Sequence, residues 1–276
     1  MNRRLRNFIL YGLLIIFAAA FVFPIFVVLI NSFKSKLYIT SEPFTLPDGE
    51  SFAGLENYIS GLEKTGFLTS FGYSLFITVG SVIAIVLFSS MTAWYITRIR
   101  NRLTSLLYYA FVFSMIVPFQ MVMFSMSKIA NLLYLDNPVG IILIYLGFGS
   151  GLSVFMFSGF IRGIPIEIEE AAMIDGCGSL RTFFLVVFPV MRPTAITVAI
   201  LNAMWIWNDY LLPYLVIGSD YKTIPIAIQY LRGGYGSVDM GAMMAMLVLA
   251  IVPIIIFYLR GQKYIIKGVV AGAVKG

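Results

Sequence analysis

The sequence predicts an all-α polytopic membrane protein with six transmembrane helices, and three observations carry that prediction. Hydrophobic residues make up 60% of the 276-residue chain and charged residues only 12%, with a mean hydropathy of +0.92. A soluble domain has no means of hiding that much apolar surface. Uncharged apolar runs recur at lengths near the roughly 20 residues that a helix needs to cross hydrocarbon. Nearly every charge falls between those runs.

The first run, 8–30, has 23 residues without a charge. It is too long for a signal-peptide core and lacks a small-residue cleavage site, so it is read as a retained helix. The further spans are 71–96, 106–126, 138–160, 194–217 and 241–258, in one transmembrane domain covering 1–276. Six spans place both termini on one side. That side carries 13 basic residues: Arg3, Arg4, Arg6, Arg98, Arg100, Arg102, Arg162, Arg181, Arg192, Arg260, Lys263, Lys267 and Lys275. The other side has six: Lys34, Lys36, Lys64, Lys128, Lys222 and Arg232. The basic-rich side is expected to be cytoplasmic, with both termini on that side of a cell membrane. The net charge of +6 is then a topology signal and not a nucleic-acid footprint.

Several chemistries are disfavoured by what the chain lacks. It has no histidine and one cysteine, Cys177, so there is neither a disulfide within the chain nor the usual metal-ligand set. No catalytic constellation stands out, and no cofactor is expected on this chain. No phosphate-binding Gly-x-x-x-x-Gly-Lys-Ser/Thr loop is present either, so ATP is not held here.

The connections are uneven. The first outer one, 31–70, contains "SEPFTLPDGESFAGLENY" and reads as an ordered or semi-ordered loop. The fifth has an amphipathic stretch over 224–231, either an interfacial or re-entrant helix or a plain surface loop. Within span four, Gly147 and Gly151 have the Gly-x-x-x-Gly spacing that lets a neighbouring helix approach. A flexible break lining a pathway is the alternative. Pro24, Pro118, Pro213 and Pro253 mark kinks or helix ends.

The loop 161–193 is far longer than an antiparallel helix pair needs. "PIEIEEAAMIDGCGS" packs three carboxylates, Glu167, Glu169 and Glu170, into five residues and follows them with Ala171, Ala172, Asp175 and Gly176. Pro165 and the acids suit a helix N-terminus. Asp175-Gly176 suits its end, with glycine in the left-handed region. Ser179 is expected to cap a second short helix, which Pro189 ends or kinks. Helices that rest on headgroups are usually basic on the polar face, whereas this one is acidic. Docking on a cytosolic protein is the better reading.

"EEAAMIDGCGSLRTFFLVVFPVMRP" resembles the EAA motif of ABC importer permeases, at Glu170, Ala171, Ala172, Gly176 and Pro189. "WNDYLLPYLVI", the tail "GAVKG", "FAGLENY" and "AWYITRIRNR" are similar to the carbohydrate branch of the maltose type. Phe188 departs from the leucine frequent before the proline. The resemblance covers nearly the whole chain. It implies a type I importer fold whose loop is a coupling helix seated on an ATPase subunit. Glu167, Glu169, Glu170, Ala171, Ala172, Asp175 and Gly176 would be its coupling residues. The implied partners are a second related permease, two copies of an ABC ATPase that hold ATP and Mg, an extracellular solute-binding protein, a carbohydrate substrate (an oligosaccharide by preference) and membrane lipid.

Asp209 is the one charge inside a span, about 15 residues in and so roughly 22 Å along a helix. It reads either as a substrate contact with Trp205, Trp207 and Asn208, or as a structural hydrogen bond pinning the kink near Pro213. Gly147 and Gly151 join the candidate pathway. The competing functions are a non-transporting docking or assembly subunit and an ion-coupled secondary carrier. A carrier needs buried ionisable groups along its path, and Asp209 alone is a poor supply.

Overall fold

In the computed structural model, the described residues are 3–218, 220–231 and 238–273. Arg232 and Lys275, counted above in the charge split, lie outside them. The chain forms two compact units, Met1–Leu68 with Ala227–Pro253, and Thr69–Ile226 with Ile254–Gly276.

In the first unit, α1 (Arg3–Asn31) is a long apolar helix whose most hydrophobic window is only 6% buried. Pro24 sits inside it without interrupting it. The connection that follows is ordered by hydrogen bonds. Lys34 is fully buried, and its ammonium donates to the Glu42 carbonyl at 2.7 Å and the Thr45 hydroxyl at 2.9 Å. Asn57 donates to the carbonyls of Ser32 and Lys34 at 2.9 and 2.8 Å. Two short helices, α2 (Lys36–Ser41) and α3 (Glu56–Thr65), stand in this connection.

The second unit is organised around two long helices, α4 (Phe67–Arg98) and α7 (Gly140–Ile161). Between them the expected third span is not one straight helix. α5 (Arg102–Ser114) and α6 (Phe119–Leu132) meet at a 106° bend. The cause is local: Pro118 has no N–H to give and pushes the residue before it out of helical geometry, so it begins α6 from an extended conformation.

After α7 come α8 (Glu167–Ile174), α9 (Ser179–Thr182), a π-helical turn over Phe183–Val187 and α10 (Phe188–Val190). α11 (Arg192–Asn208) leaves this segment at 78°. The fifth span is also interrupted. Asp209 is extended (φ −73, ψ 125) and α12 (Leu211–Ile217) starts afresh. Pro213 therefore falls in the first turn of α12, where a missing N–H costs nothing, and the break lies before it. The amphipathic stretch in the fifth connection forms α13 (Ile224–Gln229), in which Ile224, Ile226, Ala227 and Ile228 are buried. α14 (Met240–Ala273) passes through Pro253. Among the described residues four helices are long and apolar enough to cross a bilayer, and up to six spans result if each bent pair counts as one.

Packing in the second unit centres on α7. Gly149 admits the Ile85 side chain and the Asn202 amide: a Cβ there would lie 2.5 Å from Ile85 and 2.9 Å from the Asn202 oxygen. Gly151 admits α5, with Ser114 Oγ 2.6 Å and the Phe111 carbonyl 2.8 Å from the position of an added Cβ. Gly147 meets nothing within 4 Å. Close packing thus uses Gly149 and Gly151, and α7 runs unbroken through the glycine cluster.

Candidate functional site

The acidic loop is built from its glycine turn outward. Gly176 has φ +84, a region closed to most side chains. Its N–H reaches the Met173 carbonyl, and the Cys177 N–H reaches Ala172, each at 3.0 Å. These two bonds satisfy carbonyls at the end of α8 in the pattern of a glycine-closed helix. At the other end α8 starts two residues later than Pro165 suggests, with Ile166 in the cap position. Ser179 does not cap α9. Gly178 occupies that place and no side chain bonds there. Nor does Pro189 end the helix. The turn before it widens instead, the Phe188 N–H bonding to Phe183 five residues back. A proline ring clashes with the carbonyl four residues earlier, and a π-turn relieves that crowding.

The three carboxylates of α8 separate into two kinds. Glu169 is only 3% exposed and faces inward. It accepts from Trp94 Nε1 at 2.9 Å, Arg98 Nε at 2.9 Å and Arg98 Nη2 at 2.6 Å. The same Arg98 nitrogen donates to the Ile164 carbonyl at 3.0 Å. This is a fork on one carboxylate oxygen with a third donor on the other, a strong and directional arrangement. It fixes the front of α8 to the last turn of α4. Ala172 is likewise buried. Glu169 and Ala172, both expected among the coupling residues, thus turn into the chain, where Arg98 and Trp94 hold the Glu169 carboxylate. Glu167, Glu170, Ala171 and Asp175 are exposed, together with Met173 (50%) and Ile174 (86%). The free face of α8 thus combines acids with uncovered apolar side chains.

The second polar site is the break at Asp209. Oδ1 accepts the N–H of Leu211 at 3.1 Å and of Leu212 at 3.4 Å, so Asp209 caps α12. Oδ2 accepts from the Tyr145 hydroxyl at 3.1 Å. Tyr145 meets Trp205 edge to face at 5.4 Å. Asn208 is exposed and donates to the Met204 carbonyl at 2.7 Å. Trp207 is buried against Phe71. Trp207 and Gly151 thus belong to packing, while Gly147, Asn208 and Asp209 retain exposure. Sequence reasoning missed Tyr145, Trp94 and Arg98. The i, i+4 spacing of the last two, at the end of a span, was the available signal.

Residues 85–270 match the family described as binding-protein-dependent transport system inner membrane component. The chain belongs to that family. The permease is 37% identical over 98% of its length, and 97% of the relative's, to the probable starch degradation products transport system permease protein AmyC of Thermoanaerobacterium thermosulfurigenes. It is 33% identical, over 99% of both chains, to the multiple sugar-binding transport system permease protein MsmG of Streptococcus mutans. Its fold is that of a chain in the crystal structure of a bacterial ABC transporter that imports the acidic polysaccharide alginate. There the TM-score is 0.79 at 24% identity, covering 96% of this chain and 98% of that one. The permease is thus a multi-pass transport subunit of the carbohydrate ABC importer type and not an enzyme.

Proposed function

We propose that this permease forms half of the translocation pathway of an ATP-driven, binding-protein-dependent oligosaccharide importer, and that α8 is its mechanical link to a separate ATPase. The observation that carries the proposal is the two-sided character of α8. Its rear is bolted to α4 through Glu169, Arg98 and Trp94, while Glu170, Ala171, Met173 and Ile174 are left uncovered. A push on the free face is passed to a spanning helix without loss in a flexible joint. The exposed acids suit basic groups on the partner, and the apolar side chains suit a groove.

The partners in this reading are a second related permease, two ATPase subunits that hold ATP and Mg, and a solute-binding protein on the outer face. Both termini and the acidic loop face the cytoplasm. Names such as starch degradation products and multiple sugar-binding, attached to the relatives, favour an oligosaccharide cargo. In this reading Asn208 and Asp209, the latter bonded to Tyr145, meet it. Carboxylates suit sugar hydroxyls, and aromatic rings suit sugar faces.

The test is affinity purification of the complex carrying Glu170→Lys, followed by measurement of its ATPase activity. Loss of the ATPase subunit, with the two permeases still paired, is the expected result. A variant that keeps a fully substrate-stimulated ATPase would remove α8 as the coupling element.

A further inference from the structure

A cavity of about 370 Å³ opens where the last turn of α4, the first turns of α5 and the end of α7 converge. Arg100 and Arg162 line it, with Thr97, Ser105, Tyr108 and Tyr109, and no carboxylate does. Neither arginine forms an ion pair among the described residues. The Arg162 guanidinium stands 5.2 Å from the centre of the Tyr108 ring, which holds it over an aromatic face while its N–H groups remain available.

The hydroxyls divide in an informative way. Thr104 is spent: it completes a reciprocal cap with Asn101 and also donates to the Ile99 carbonyl at 2.6 Å. Thr97 is not. It is 9% exposed, lines the cavity, and its buried Oγ1 has no partner. A buried hydroxyl without a partner costs about 1–3 kcal/mol in general, so a ligand acceptor is the natural complement.

We infer that this cavity is a binding site for the phosphate of an anionic membrane lipid headgroup. Two planar guanidinium forks and a spare hydroxyl match a tetrahedral oxyanion. The volume lies at the low end of ligand sites, enough for a headgroup phosphate and its glycerol, with the acyl chains left outside along the helices. The position is the basic-rich end of spanning helices, where basic pockets select anionic lipids. Tyr108 and Tyr109 add the aromatic character of an interface. Lipid as the source of the phosphate rests on the proposed cytoplasmic orientation of this end.

The experiment is native mass spectrometry of the purified importer complex with phosphatidylglycerol, phosphatidylcholine or inorganic phosphate. Phosphatidylglycerol should be retained selectively. Its retention should fall roughly thirtyfold in Arg100→Gln/Arg162→Gln, at about five- to sixfold per arginine. Should the double variant assemble poorly, Ser105→Glu serves instead. It keeps both arginines, suits the first turn of α5, and puts a competing carboxylate into the cavity, so it should lower retention in the same direction. Equal retention of phosphatidylglycerol in wild type and Ser105→Glu would overturn the site. Displacement of the lipid by millimolar inorganic phosphate would reassign it to a free anion. Loss of the ATPase subunit with lipid selectivity intact would assign the cavity to a protein contact.

Discussion

Glu169 and Asp209, two carboxylates of the second unit, are held in opposite ways. Glu169, in the acidic loop, faces a guanidinium and an indole and forms an ion pair. Asp209, at the helix break, has no cation beside it among the described residues and is held by one tyrosine hydroxyl and two backbone N–H groups. A charge-paired carboxylate is expensive to move, since separating it leaves two uncompensated charges. A carboxylate held only by neutral donors exchanges partners at lower cost, because other hydroxyls substitute for those it has. The first arrangement suits a rigid joint and the second a site that changes partners during a transport cycle.

The largest effect should come from breaking the joint. Glu169→Ala strands Arg98 at a site where the paired side chains are 17% and 4% exposed, and is expected to cost about 3–5 kcal/mol. Thermal unfolding of the purified complex in detergent reads this as a marked fall in Tm. The paired change Arg98→Met with Glu169→Leu sharpens the comparison. It removes both charges, so stability should recover substantially while coupling of ATPase to substrate stays impaired. Full recovery of coupling would mean that the ion pair does no more than hold the fold.

The joint was also the least legible part of the chain. The apolar runs and the glycine turn were readable because their causes are local: hydrocarbon thickness sets one, and the φ of a single residue sets the other. Glu169 could not be told from Glu167 and Glu170 by composition. Its partners lie 71 and 75 residues away, and only the packing of α8 on α4 decides which carboxylate turns inward. The breaks divide along the same line. Pro118 announced a bend, whereas the break at Asp209 depends on a tyrosine from α7, and the nearby proline drew attention four residues too late. Gly151 was identified through its partner in a spacing motif, while Gly149, which is just as tightly approached, has only the less conspicuous small-residue spacing to Ser153.

At the break, Asp209→Ala should cost about 2 kcal/mol. About 1 of this comes from the lost cap, and the remainder from leaving the Tyr145 hydroxyl unpaired. Asp209→Asn keeps both the cap and an acceptor and should stay within about 1 kcal/mol of wild type. Sugar uptake in proteoliposomes then separates the two roles. A folded, assembled Asp209→Asn protein with impaired uptake assigns the charge to the cargo path. Unchanged uptake reduces Asp209 to a hinge cap.

Gly176→Ala tests the loop without touching either carboxylate. At φ +84 a side chain costs about 1–2 kcal/mol. The strain falls on the turn that ends α8, so ATPase association should weaken more than the Tm of the permease alone. If the two decline together, the turn is a structural element of the whole fold and not a local support for docking.

The smallest expected effect lies outside both sites and gives the comparison a baseline. Lys64 and Asp239 form an exposed ion pair at 2.5 Å, and Asp239 also caps α14 by accepting the Ala242 N–H. Partial burial alone would raise the Asp239 pKa, but the Lys64 hydrogen bond, the Ala242 N–H and the nearby positive charge outweigh it and hold the carboxyl below its usual value of 3.8. A carboxyl with a depressed folded pKa contributes stability that is fully present above the unfolded pKa and is lost as pH falls through the lower, folded one. The contribution should therefore be complete at neutral pH and fade only below about pH 4. Solvent screening holds it to a few tenths of a kcal/mol. Asp239→Asn should lower the Tm slightly at pH 7, and the difference from wild type should close on acidification. A gap that persisted at low pH would trace the loss to altered capping of α14, because the charge no longer distinguishes the two proteins there.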